Sequence, residues 1–376
     1  MLIADAHLDL AWNALTYERD LQLPVHVIRQ IEAPMTGKGR AMNTVALPDM
    51  HRGRVFLSFA TLLARASGRP APGIEYGSMA QAHAIAKGQL AYYRALEQQG
   101  EVRVIETVEQ LERHVAEWSA LTPTPLPQGE EQGVRVPPLG FVISMEGADP
   151  ITTPDELAYW HEMGLRLLGP AHYGPNRYAG GTGTTRGLTE GIGPALLREM
   201  RRLGIALDCT HLSDEAFWEA VRVYDGPLLA SHQNCRAIAR MQRQFSDEQL
   251  KLIIARGGVI GASFDVVMVR DGWQWAAMNN LTEPNPVLMR EVVDHIDHVC
   301  QLAGNADHAG IGSDLDGGFG REQSPRDLDT IADLQKLAGL LAERGYGQDD
   351  IEKIMFRNWV RFLRAILRRR THVKDD

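Results

Sequence analysis

Leu2-Ile3-Ala4-Asp5-Ala6-His7-Leu8-Asp9, an apolar run passing into alternating polar residues, stands near the start of a chain of 376 residues. Side chains of a β-strand alternate with a period of two, so a strand here sets Asp5, His7 and Asp9 on one face. A histidine and a carboxylate two residues apart at a strand end can grip one divalent cation, because imidazole and carboxylate are both good ligands for zinc-like ions. A polar surface turn is the simpler reading of these few residues alone. The remainder of the chain turns the balance toward metal.

Further along, apolar runs of strand length recur at residues 55–60, 140–145, 165–169, 205–209, 227–230, 259–264 and 309–313, after the first at 2–6. Most are continuous, the pattern of parallel strands buried on both faces. Residues 102–105 form a ninth, accessory candidate. Amphipathic segments of helical period separate them, at 81–98, 108–118, 154–163, 194–203, 214–223, 247–255, 286–302, 327–343 and 349–367. Ser246 and Gln249 make a capping box, and Gly257 with Gly258 closes that helix. Pro286 suits a first helical position after Asn285. Eight strands alternating with helices predict an α/β chain folded as a (β/α)₈ TIM-type barrel, with a doubly wound open sheet as the competing arrangement. The barrel is expected to form one domain over residues 1–376. Residues 121–138, rich in Pro, Gly, Gln and Glu, read as a flexible surface insertion. Residues 21–48 read as irregular cover over one barrel end, and 371–376 as a frayed tail.

The composition is that of an ordinary soluble chain, 44% hydrophobic and 23% charged. A net charge of −9 argues against nucleic acid as the main partner. No apolar run approaches the ~18 residues of a membrane-spanning helix, and no basic segment precedes an apolar stretch at the N-terminus. Neither a membrane span nor a cleavable leader is therefore expected. Cys209, Cys235 and Cys300 are odd in number and scattered. They read as reduced thiols of a cytoplasmic protein, not as a disulfide framework or a cysteine-based zinc site.

Ionisable residues gather at one relative position. His7 and Asp9 end the first predicted strand, Glu146 the third, His172 the fourth, His211 the fifth, His232 the sixth and Asp314 the eighth. The carboxyl ends of barrel strands converge on one mouth, where barrel enzymes carry their active sites. Histidines with Asp and Glu and no Cys suit zinc or a similar borderline ion. Two ions fit this inventory better than one, with Glu146 between a His7/Asp9 side and a His211/His232 side. Two metals about 3.5–4 Å apart activate water and polarise a carbonyl. Asp314, not needed as a ligand, can take the proton of the water and deliver it to a leaving amine.

These residues resemble the membrane (renal) dipeptidase family of zinc peptidases, within the amidohydrolase superfamily. The matching stretches are Asp5-Ala6-His7-Leu8-Asp9-Leu10, Ser144-Met145-Glu146-Gly147, Asp208-Cys209-Thr210-His211, Ser231-His232-Gln233-Asn234-Cys235-Arg236 and Gly310 through Gly317 with Asp314 and Asp316. Accessory matches are Gly187 through Gly191, Arg243 ahead of Ser246-Asp247, and Asn358 with Arg364. The stretches span nearly the whole chain in family order. The resemblance implies that His7 and Asp9 hold one zinc, that His211 and His232 hold the other, and that Glu146 bridges them. It implies that His172 contacts the substrate carbonyl, that Asp314 shuttles the proton, and that Arg243 pairs with the terminal carboxylate of the substrate. It also implies dipeptide substrates, including L-Xaa-D-Xaa, and a homodimer. Two positions depart from the family pattern. Ala171 precedes His172 where threonine-histidine is usual, and Asp265 stands near a position where some relatives carry tyrosine. Asp265 is thereby a substrate-side residue, with a preference for a cationic substrate group. An N-acyl amino acid amidohydrolase or a lactonase on the same scaffold is the alternative activity, and Arg243 favours a substrate with a free carboxylate.

Other polar residues have plainer readings. His295 and His298 read as surface residues of a helix, His308 as structural, and His51, His83, His114 and His161 as solvated. Asp5 reads as a hydrogen-bond partner behind the ligands. Asp316 reads as a turn cap, and Asp208 as either orienting a histidine or accepting from backbone donors. The stretch Gly180 through Gly187 lacks the lysine of a phosphate loop and reads as a flexible loop at the active site.

Overall fold

Runs that are apolar on both faces can only be buried on both faces, and in the computed structural model they are. The structure describes residues 1–66, 68, 73–121, 136–272 and 285–367. Every residue of β1 (Ile3–Leu8), β2 (Val55–Leu63) and β4 (Leu139–Glu146) is buried. They are joined by β3 (Val102–Val104), β5 (Leu165–Gly169), β6 (Ala206–Asp208), β7 (Leu228–Leu229), β8 (Ile260–Ala262) and β9 (Ala309–Ile311). The strands pair in the order β7-β6-β5-β4-β2-β1-β9-β8, all parallel. A parallel bridge from Ala230 to Ile260 joins the two ends, with Ala230 N–H donating to Val259 O at 3.0 Å and Gly261 N–H to Ala230 O at 2.8 Å. The sheet is an eight-stranded α/β barrel, as the alternation predicts, and not an open doubly wound sheet. β3 is the expected accessory strand. It pairs with residues 139–141 of β4, below the stretch from Ile143 to Glu146 that pairs with β5.

The helices form where the sequence puts them, with instructive differences at their ends. The Ser246–Gln249 capping box is present, and Gly257 closes that helix with a φ of 75°. The helix expected from residue 286 starts at Met289 instead. Asn285 Oδ1 accepts from Val287 N–H and Asp327 Oδ1 accepts from Met289 N–H, so a distant carboxylate sets the first turn. The segment 327–343 opens as a tight turn of 3₁₀ type, Ile331–Gln335, before the helix Lys336–Glu343. The last helix contains a π-turn, Lys353–Arg357, ahead of Asn358–Leu367. There Asn358 and Trp359 donate to the β9 region, at Ala309 O and Ile311 O, and anchor the helix to the barrel. The cover over residues 21–48 is more ordered than expected. It contains the helix Val25–Glu32, held by Arg19 donating to both Glu32 carboxylate oxygens. Of the expected insertion at 121–138, residues 122–135 lie outside the described residues, as does the tail 371–376.

Two histidines read as solvated or surface residues are in fact buried. His114 is 0% exposed and donates from Nε2 to Phe56 O at 2.8 Å. His295 is 1% exposed, accepts at Nδ1 from Cys235 N–H and donates from Nε2 to Val269 O. Burial pushes the pKa of His114 down to about 4. Between about 4 and the unfolded value near ~6.5, the unfolded chain binds a proton that the native chain refuses. Stability therefore falls as pH drops through that window, by up to about 3 kcal/mol for this residue at ~1.4 kcal/mol per unit. His114→Gln retains an N–H donor without the titration. Urea unfolding should show the wild type losing more stability than His114→Gln between pH 6.5 and 4, and equal losses would contradict a buried neutral His114.

Candidate metal centre

The sequence-predicted ligands meet at the carboxyl ends of the strands. His7 lies in β1, with Asp9 just beyond, and its Nε2 is 3.6 Å from Asp9 Oδ2, 3.7 Å from Glu146 Oε2 and 3.8 Å from Asp314 Oδ1. Glu146 ends β4 and stands at the centre. Its Oε1 is 3.0 Å from His211 Nε2 and 3.3 Å from His232 Nε2, and its Oε2 is 3.7 Å from His172 Nε2. The two Nε2 atoms of His211 and His232 face each other at 3.1 Å. All seven side chains are buried.

Local backbone features deliver them there. His211 and Asp314 both adopt left-handed backbone, with φ of 69° and 59°, a conformation that costs a non-glycine residue energy and is concentrated at functional sites. Gly261 and Gly312 let the Ser231 carbonyl come so close that a Cβ on either would lie within 2.0 Å of it. The two glycines thereby let the Ser231–His232 segment pack directly against the neighbouring strand ends. Asp5 accepts from His7 N–H at 3.2 Å and Ser313 N–H at 2.8 Å, tying the mouth of β1 to that of β9. Asp208 accepts from Thr210 N–H and Ser231 N–H, both at 3.0 Å, so its role is to satisfy backbone donors beside His211 and His232. Asp316 accepts from Thr44 N–H and Oγ–H and from Val45 N–H, and so anchors the cover segment instead of capping its own turn. The glycine stretch at 180–187 is pinned rather than loose. Gly181 bridges Leu212, and a Cβ on it would lie 1.9 Å from His172 O, so glycine serves close packing there.

The donor set fits divalent cations. His7 Nε2, Asp9 Oδ1 and Glu146 Oε1 are buried without a hydrogen-bond partner, a costly state unless a cation completes them. Three trios lie close enough to share an ion: His7, Glu146 and His232; Glu146, His172 and His211; and His7, Asp9 and Asp314. The electrostatics agree. Burial opposes charge on His7, but Glu146, Asp9 and Asp314 outweigh it and raise its pKa. Burial, reinforced by Asp9, raises Glu146, and burial, with Glu146 and Asp9, holds Asp314 well above the carboxylate range. Burial pushes His211 and His232 well down, reinforced by the Arg243 charge at His211 and by the His7 and Arg243 charges at His232, so both rings are neutral, the form in which imidazole ligates a metal.

A cavity of about 240 Å³ opens onto the cluster, below the ~300–1,000 Å³ of drug-sized ligand sites. Asp9, Glu146, His172, His211, His232, Asp265 and Asp314 line it together with residues the sequence reading did not single out, notably Trp12, Lys38, Arg65, Tyr173 and Gln323. Asp265 Oδ1 accepts from Val267 N–H and Gln323 Nε2, and burial raises its pKa to about 6. Arg243 is 3% exposed and reaches the same cluster, its Nη2 lying 3.4 Å from His211 Nε2. It donates to Gln233 Oε1 at 2.7 Å and His232 O at 2.9 Å, while its Nε is buried without a partner.

A parallel barrel with a buried imidazole–carboxylate cluster at its carboxyl mouth is the architecture of a metal-dependent hydrolase. The sequence profile of the membrane dipeptidase family, peptidase family M19, matches residues 1–375, and the chain belongs to that family. It is thus a metal-dependent hydrolase acting on peptide bonds. Among solved structures it is similar to dipeptidase AC, a metallopeptidase of family M19 (TM-score 0.75, 25% identity, 96% of this chain and 98% of that one). It is also similar to a Rhodobacter sphaeroides metallopeptidase liganded with a phosphinate mimic of the dipeptide L-Ala-D-Ala (TM-score 0.73, 25% identity, 96% and 98% covered). The dipeptidase tcpJ of Claviceps purpurea is 29% identical over 216 residues, covering 56% of this chain and 47% of that protein. Among the described residues no helix is long and apolar enough to cross a membrane.

Proposed function

We propose that this chain is a binuclear zinc dipeptidase that cleaves dipeptides with a free terminal carboxylate, L-Xaa-D-Xaa among them. The observation that carries the reading is the shared Glu146 carboxylate, with His211 and His232 on one oxygen and His7 and His172 facing the other. His7 and Asp9 would hold one cation and His211 and His232 the other, with Glu146 offering an oxygen to each. Such a pair, when bound, supplies Lewis-acid polarisation of the scissile carbonyl and a water acidic enough to attack near neutral pH. Asp314 takes the water's proton and passes it to the departing amine. His172 donates a hydrogen bond to the carbonyl oxygen as charge builds on it. Asp265, on the cavity wall, receives the cationic amino end of the substrate. The three cysteines are free and buried, which supports a reducing, cytoplasmic setting.

Arg243 supplies the selection for dipeptides. Its orphaned Nε and remaining N–H groups suit a carboxylate one residue beyond the scissile bond. A longer peptide presents an amide there. Hydrolysis of one good dipeptide, free and C-terminally amidated, by wild type and Arg243→Met tests the assignment. Arg243→Met should lower kcat/KM on the free dipeptide ~10²-fold, for a charge-assisted contact of roughly 3 kcal/mol. The amidated substrate should be affected far less. Equal losses on both, or no cleavage of free dipeptides by the wild type, would contradict the reading.

A further inference from the structure

Four imidazoles converge on Glu146, and each neutral ring must place its single proton on one nitrogen. The partners at Nδ1 differ. His211 Nδ1 lies 3.0 Å from Thr182 Oγ1, which spends its own proton on His211 O and so accepts from Nδ1–H. His232 Nδ1 lies 2.9 Å from Ser231 Oγ, which donates to Thr210 Oγ1 and likewise accepts. His7 Nδ1 faces Thr61 Oγ1 at 3.5 Å. At His211 and His232 the hydroxyl acceptors at Nδ1 leave the lone pair on Nε2, where a metal would take it.

His172 is the reverse case. Its Nδ1 lies 3.0 Å from Arg65 Nη1, and a guanidinium only donates and stays charged. Nδ1 must therefore accept, and the ring proton sits on Nε2. Arg65 is held in turn. Its Nη2 donates to Glu75 Oε2 at 3.2 Å, its N–H donates to Ile74 O, and its carbonyl accepts from Tyr76 N–H. It follows the end of β2 and lines the cavity.

We propose that Arg65 is a positioning residue that locks His172 as the Nε2–H tautomer, which bars His172 from the metals and keeps it a hydrogen-bond donor aimed into the cavity. The catalytic consequence rests on the dipeptidase reading above, while the tautomer does not. Geometry alone leaves His172 in a trio able to hold an ion with Glu146 and His211, and the Arg65 contact is what separates it from the ligands.

The test is ¹H–¹⁵N correlation spectroscopy on the zinc-loaded full chain with ¹⁵N-labelled histidine, His172 being assigned by its loss in His172→Gln. The wild type should show His172 protonated at Nε2 and not metal-bound. Arg65→Met should release it to the Nδ1–H tautomer or to zinc, with kcat falling ~10–100-fold, the range for partners behind a metal site, and KM little changed. Arg65→Lys, still a donor, should restore the Nε2–H signal and most of kcat. A wild-type His172 with a bare or zinc-bound Nε2 overturns the proposal, as does an unaltered signal in Arg65→Met. If Arg65→Met fails to fold, the wild-type and Arg65→Lys spectra still decide. A wild type that cleaves no dipeptide sinks the dipeptidase reading, and the His172 signal continues to report on Arg65.

Discussion

Glu146→Gln should abolish hydrolysis, with kcat/KM down ~10³-fold or more and bound metal reduced in parallel. Glutamine keeps the shape of the side chain but replaces a shared anionic oxygen by an amide. That oxygen lies 3.0 Å and 3.3 Å from two imidazole nitrogens that, as metal ligands in the proposed centre, would have no proton to offer it. An amide N–H₂ in its place would point donors at the cations, and an amide oxygen would bring no charge. The loss is that of a metal's stabilisation of developing charge, several kcal/mol. Elemental analysis and a dipeptide release assay on the same preparation check it. Full metal content with near-normal turnover would remove Glu146 from the bridging role.

Asp314→Asn should lower kcat by ~10²–10⁴-fold, the contribution of a positioned general acid–base group, with metal content nearly unchanged. Asp314 Oδ1 lies 3.8 Å from His7 Nε2, near enough for Asp314 to be weighed as a ligand with His7 and Asp9. Asp314 has left-handed backbone and lines the cavity, where a bound dipeptide would be within reach of its carboxylate. A variant that loses metal along with activity would make Asp314 a ligand and leave the proton shuttle unassigned.

Much of the fold is legible in the sequence, for a physical reason. Parallel barrel strands are buried on both faces, so β2 and β4 appear as nearly continuous apolar runs, unlike the stripe of an amphipathic helix, while β1 alternates with Asp5 and His7 on one face. Their carboxyl ends must converge, so polar residues placed there declare a site. What escaped was set by contacts distant in sequence. The second strand was expected to stop at residue 60 but runs to Leu63. Arg65 therefore sits at its mouth, where the same strand-end rule would have found it. His295 is flanked by Asp294, which suggested a solvent face, yet Cys235 N–H and Val269 O bury it as a bridge between segments. The helix start at Met289 depends on Asp327, a partner no local pattern reveals. Arg243 lies on a loop with no periodicity to mark it, and only the family resemblance reached it.

The central claim is a two-metal centre built by His7, Asp9, Glu146, His211 and His232. The most direct measurement is the metal content per chain of protein purified without chelator and saturated with zinc, after removal of free ion. About two equivalents are expected, with activity lost on chelation and regained as the second equivalent returns. One equivalent or fewer at saturation, with full activity, would contradict it.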